Sequence, residues 1–158
     1  MKYLFFGGQE SPFAEIILDG LTKAGFPPLA SFRDAKAPLS PAELKAHNAD
    51  FFLVAAFAKI LKRDIIDIPP RGTIGVHPSL LPQYRGPSPI QSVLLSGKQE
   101  TGTSLFVIDE KVDHGPLLAQ ESLVISESDT YLSLLERLAN SSVKICITAL
   151  PDYCAGIR

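Results

Sequence analysis

Short apolar runs alternate with amphipathic stretches along this chain. Lys2 to Phe6 is an apolar run that stops at Gly7-Gly8, and Pro12 opens an apolar-periodic stretch ending near Gly25. This punctuation predicts a strand, a glycine turn and a helix with Pro12 in its first turn. Leu29 to Phe32 reads as a second strand. Ser40-Pro41-x-Glu43 is a capping box with proline at the first helical position, and predicts a short helix to about Asn48. Phe51 to Ala56 is continuously apolar, as a strand covered on both faces should be. Arg63 to Ile68 reads as a short helix, Thr73 to Val76 as a buried strand, and Ile90 to Leu95 as a helix stopped by Gly97. Ser104 to Ile108 and Leu117 to Ile125 read as strands. Ser128 and Asp129 are the expected caps of a long last helix that runs to about Leu150, where Pro151 should end it.

Strands that alternate with helices and are apolar along most of their length predict an α/β fold. Its centre should be an open, mostly parallel twisted sheet with helices on both faces, in one domain over residues 1–158. Such sheets bind ligands beyond the carboxyl ends of their strands, near the switch in strand order. Two polar loops leave predicted strand ends, one beginning at His77 and one at Asp109.

Composition narrows the class. Fifteen basic residues against 17 acidic give a net charge of −2, which offers no general electrostatic grip on nucleic acid or an anionic membrane. The longest apolar run, Phe51 to Ala58, is far short of the roughly 20 residues that span a bilayer. The apolar region behind Met1-Lys2 is too short for a signal peptide. Cys146 and Cys154 form neither a metal-ligand spacing nor a redox pair, which suits a reducing compartment. The expectation is a cytoplasmic globular domain without a metal. Proline changes the picture locally: six of the 13 prolines fall between Pro69 and Pro89, so the stretch around the first polar loop is rigid and non-helical.

His77 follows a buried strand and starts that loop, where a side chain titrating near neutrality is placed for proton transfer. Position alone equally allows a loop histidine bonded to the backbone. Asp113 lies in the second loop and would orient the imidazole if the two loops met; Asp109, Glu110 and Asp113 equally read as a solvated turn. His114 reads as structural. Gly7-Gly8 lacks the G-x-G-x-x-G pattern, and no Walker sequence, H-E-x-x-H or G-x-S-x-G elbow is present.

The loop residues are more specific as a set. His77-Pro-Ser-Leu-Leu-Pro82, Tyr84-Arg85-Gly86 and Pro89-Ile90-Gln91 resemble the signature of the folate-dependent formyltransferases. Glu100-Thr101-Gly102-Thr103, Asp109-Glu110-x-Val112-Asp113-x-Gly115 and Ala119-Gln120 match the same family in order and spacing. Within it, Arg85-Gly86 with Pro89-Ile90-Gln91 is most similar to the methionyl-tRNA branch. The resemblance implies a Rossmann-like catalytic domain that moves a formyl group from 10-formyltetrahydrofolate to a primary amine, in that branch the methionyl amine of initiator Met-tRNA. It implies His77 and Asp113 as the catalytic pair, and Phe57, Ala58, Lys59, Ile60, Leu61, Asp109 and Val112 as the folate-binding set. It also implies an acceptor side at Gly7, Gly8, Gln9 and Ser11, with Arg85 contacting an anionic acceptor or pairing locally.

Two departures qualify what the resemblance implies. The family's catalytic asparagine, a donor to the formyl oxygen, would stand two residues before the histidine, and here that residue is Gly75. Another donor or a water in its place, an impaired site or an introduced substitution are the readings left open, as is a ligand approaching the backbone closely. If only the donor is missing, asparagine at 75 should raise turnover by roughly 10²-fold. The second departure is length: the methionyl-tRNA branch carries a C-terminal tRNA-binding domain, expected to be absent here, and Arg33 to Ser40 is shorter than that branch's insertion. Formylation of a small amine (glycinamide ribonucleotide or a nucleotide amino sugar) and a degenerate folate-binding domain are the alternatives. The oligomeric state is not legible.

Overall fold

A computed structural model describes residues 1–157. Six strands form one sheet: β1 (Tyr3–Gly7), β2 (Ala30–Phe32), β3 (Phe51–Ala55), β4 (Thr73–His77), β5 (Glu100–Val107) and β6 (Leu117–Val124), in the order β2-β1-β3-β4-β5-β6. β1 pairs in parallel with β2 and β3, and β3 with β4; β5 and β6 close the far edge antiparallel. The predicted open, mostly parallel sheet is therefore present. Chain order reverses across β1, so the crevice beyond the carboxyl ends of β1, β3 and β4 lies at the switch point.

Side chains alternate along the inner strands to build two cores. Tyr3 and Phe5 of β1, Phe51 and Leu53 of β3, and Ile74 and Val76 of β4 pack beneath α1 (Pro12–Lys23), α4 (Pro89–Leu95) and α5 (Tyr131–Cys154). Leu4, Phe6 and Phe52 point the other way, against α2 (Pro41–Ala46) and α3 (Arg63–Ile66). Period-two alternation with both faces covered explains the continuous apolar runs. No helix among the described residues is long and apolar enough to cross a membrane.

Among the boundaries that differ from the sequence reading, three have a specific physical reason. β5 begins at Glu100 rather than Ser104, because Glu100 to Thr103 pair with β6 although Thr-Gly-Thr carries no apolar signal. α5 is capped by Thr130, in a reciprocal box with Ser133, rather than by Ser128 or Asp129. It also continues through Pro151 to Cys154. A proline near the end of a helix removes one N–H but leaves its carbonyl, which accepts from Ala155 at 2.9 Å. Tyr153 holds this last turn by donating to the Arg71 carbonyl at 2.7 Å.

Asp129 serves α5 from just outside the cap. Its buried carboxylate accepts from the Ser126 N–H at 2.8 Å, from the Ser133 hydroxyl at 2.8 Å and from Arg137. Burial pushes its pKa up, but these donors outweigh it and hold the group below the ordinary carboxylate range. A carboxyl lowered on folding contributes stability that is present above its unfolded pKa and lost as pH falls through the lower folded value. Asp129→Ala is therefore expected to cost about 1–2 kcal/mol at neutral pH. Melting curves from pH 7 to 2.5 check this, because the difference between variant and parent should shrink towards the acid end.

Candidate active site

A cavity of about 580 Å³ opens at the switch point, bordered by the segments that follow β1, β3 and β4 and by the loop joining β5 to β6. This size falls within the roughly 300–1,000 Å³ of small-molecule sites. His77 is the last residue of β4 and only 6% exposed. Its Nε2 lies 2.9 Å from the carbonyl oxygen of Tyr84. A carbonyl only accepts, so Nε2 carries a hydrogen and donates; in the neutral ring Nδ1 is then the free base. Nδ1 faces the Asp113 carboxylate, with Oδ2 at 3.5 Å. The rigid loop supplies its own clamp on the histidine: it turns back on itself, through a left-handed Tyr84, to present that carbonyl.

Asp113 reaches the histidine by an indirect route. Because β5 is antiparallel to β4, its carboxyl end (Val107) lies beside Ile74, at the opposite end of β4 from His77. The loop from Ile108 must therefore climb back along the sheet. Ile108 donates to Thr73 at its foot, and Asp113 at its top takes a left-handed conformation with φ of 48°. There the Asp113 carboxylate accepts from the Gly86 N–H at 2.9 Å, while its carbonyl accepts from Arg85 Nε at 2.9 Å. The two polar loops are thus tied to each other, and their carboxylate is aimed at Nδ1. Such a pair can take up a proton on the imidazole and hold the resulting cation beside an anion.

The other sequence candidates divide. Phe57, Ala58, Lys59 and Ile60 line one wall after β3, and Val112 lines another; Ile60 and Val112 are 81% and 62% exposed, forming apolar lips. Ser11 lines the side after β1, where it also caps α1. Gly75 lies on the floor beside His77. Leu61 is buried in the second core instead. Asp109 turns away: it accepts from Lys111 N–H at 2.8 Å and pairs with His114 Nδ1 at 2.9 Å, bordering a smaller cleft with Arg63 and Asp67. Its hydrogen bond to His114 lowers its pKa. Gly7, Gly8, Gln9 and Arg85 do not line the main cavity.

Several residues went unseen in the sequence. Arg33, just past β2, donates from Nε to the Gly7 carbonyl at 2.8 Å and from Nη2 to the Gly8 carbonyl at 3.0 Å, and pairs with Glu15 at 2.7 Å. It therefore fixes the turn that leads to Ser11. Glu10, Gln91 and Tyr131 bring polar groups to the cavity, and Phe106 lies on its floor. An arginine directly after a strand was the signal for Arg33, and Gln91 already stood in the Pro89-Ile90-Gln91 motif without a role; Glu10 follows from the path of the loop after β1, and Tyr131 and Phe106 from the packing of α5 and β5.

Residues 4–150 match the sequence profile of the formyl transferase family. The chain is 38% identical over 129 residues to a methionyl-tRNA formyltransferase of Roseiflexus sp. (strain RS-1), covering 82% of this chain and 40% of that protein. It is 36% identical over 152 residues to the methionyl-tRNA formyltransferase of Roseiflexus castenholzii, covering 95% and 48%. It thus spans about half the length, or less, of these relatives. The fold is similar to the crystal structure of glycinamide ribonucleotide transformylase 1 from Symbiobacterium toebii, with a TM-score of 0.79 at 19% identity over 99% of this chain and 88% of that one. It is also similar to the formyltransferase PseJ from Anoxybacillus kamchatkensis, solved with a formamido-sugar nucleotide and tetrahydrofolate, with a TM-score of 0.77 at 24% identity over 99% and 78%. With a matching profile over nearly its whole length, the chain belongs to the formyl transferase family.

Proposed function

We propose that this chain transfers a formyl group from 10-formyltetrahydrofolate to a primary amine, and that the acceptor is the methionyl amine of initiator Met-tRNA. The observation that carries the reading is the pairing of His77 Nδ1 with Asp113 in the lining of the cavity. The formyl donor supplies an electrophilic carbon on a folate nitrogen that can leave.

The chain's residues manage protons and position. The wall from Phe57 to Ile60 and the exposed Val112 offer an apolar slot suited to a flat ring system. His77 Nδ1 accepts the proton that the amine loses as its nitrogen bonds to the formyl carbon. The same Nδ1 returns that proton to the folate nitrogen as the old carbon–nitrogen bond breaks. Asp113 stabilises the imidazolium between the two transfers, and the Tyr84 carbonyl keeps Nε2 protonated throughout. Support for the Met-tRNA acceptor comes from the relatives' names.

Calorimetry with 10-formyl-5,8-dideazafolate, followed by transfer assays on Met-tRNA, glycinamide ribonucleotide and a nucleotide amino sugar, tests both halves. Binding with transfer to Met-tRNA is expected. No binding at millimolar analogue would refute the folate reading, and transfer only to a small amine would refute the acceptor.

A further inference from the structure

Gly75 has a partner directly across the sheet. In the β4–β5 register it stands opposite Phe106, so the two residues share one face of the sheet, the face that His77 also occupies two residues on. Phe106 is 3% exposed, and its ring lies over the glycine: a Cβ at position 75 would fall 2.5 Å from both Cε1 and Cζ. Carbon atoms do not approach that closely, and an aromatic ring cannot bend away as a flexible chain end does. Both residues border the cavity next to His77. A cross-strand aromatic covering a strand glycine restores the contacts that the missing side chain would have made.

We propose that Gly75 and Phe106 form one coupled element that determines the floor of the reacting centre. The Phe106 ring takes the space above β4 that a side-chain amide at 75 would need, and leaves an apolar surface under the reacting group. What stands at 75 is therefore set by the size of residue 106. This rests on the formyl-transfer reading for its catalytic content, while the steric coupling stands on geometry alone. On this reading asparagine at 75 alone brings no gain in turnover, since its Cβ already meets the Phe106 ring.

A double-mutant cycle tests the pairing, using Gly75→Asn, Phe106→Val and the two combined, with Gly75→Ala as a control that adds only a Cβ. Gly75→Asn and Gly75→Ala are each expected to lower the melting temperature by on the order of 5 °C. Both should weaken binding of 10-formyl-5,8-dideazafolate, and Gly75→Asn should bring no gain in transfer to Met-tRNA. In the Phe106→Val background the same asparagine should cost no melting temperature and should raise transfer by on the order of 10²-fold. The coupling is overturned if Gly75→Asn melts like the parent, or if the melting effects of the two changes simply add. Should no protein in the set bind the analogue or transfer formyl, the formyl-transfer reading fails, and the melting cycle still decides the steric pairing.

Discussion

His77→Ala is expected to lower formyl transfer by about 10²–10⁴-fold while the protein remains folded. The His77 ring is held by two fixed partners, one at each ring nitrogen: the Tyr84 carbonyl at 2.9 Å and the Asp113 carboxylate at 3.5 Å. Alanine keeps the backbone of β4, including the carbonyl that accepts from Thr103 Oγ1, so the strand has no reason to rearrange. Single-turnover transfer with saturating donor isolates the chemical step, and circular dichroism confirms the fold. Asp113→Asn should reduce the rate less, since it removes the charge but not the base. Retained activity in His77→Ala would show that another group moves the proton.

Gly115→Ala is expected to cost about 3 kcal/mol and to abolish transfer with it. Gly115 closes the loop between β5 and β6, where Val107 N–H donates to the Pro116 carbonyl at 2.8 Å. A Cβ at 115 would lie 1.7 Å from the Val107 carbonyl oxygen, a backbone atom with no room to yield. The loop must therefore open, and the carboxylate it carries to His77 is displaced. Thermal unfolding should show a loss of roughly 6–12 °C. The two variants separate the roles: His77→Ala removes activity from a protein that stays folded, and Gly115→Ala removes activity together with the loop's structure.

The contrast between these residues shows what the sequence could carry. The histidine–aspartate pair was legible because both residues belong to motifs whose order and spacing are specific. The strand count and the covered sheet were legible because period-two burial on both faces leaves continuous apolar runs such as Phe51 to Ala55. The path of Asp113 was not legible: it depends on β5 running antiparallel, which a strand's own residues do not announce. Phe106 was hidden for the same reason, since it meets Gly75 only through a cross-strand register 31 positions away in sequence. Leu61 and Asp109 sat in the right motifs, but their side chains turn into the second core and towards His114. A motif locates a segment; the side chain's direction follows from packing. The proline-rich stretch shows the reverse case, where composition indicated rigidity and the structure shows its use, a loop that folds back to place the Tyr84 carbonyl on the histidine.

In the proposed reaction this chain moves a formyl group by proton transfer at His77. The most direct test is the transfer of labelled formyl from 10-formyltetrahydrofolate to Met-tRNA, glycinamide ribonucleotide and a nucleotide amino sugar, measured side by side for the parent and His77→Ala. Labelled N-formylmethionyl-tRNA is expected from the parent and about 10²–10⁴-fold less from the variant. Equal rates from the two proteins, or no label on any amine from a folded parent, would contradict it.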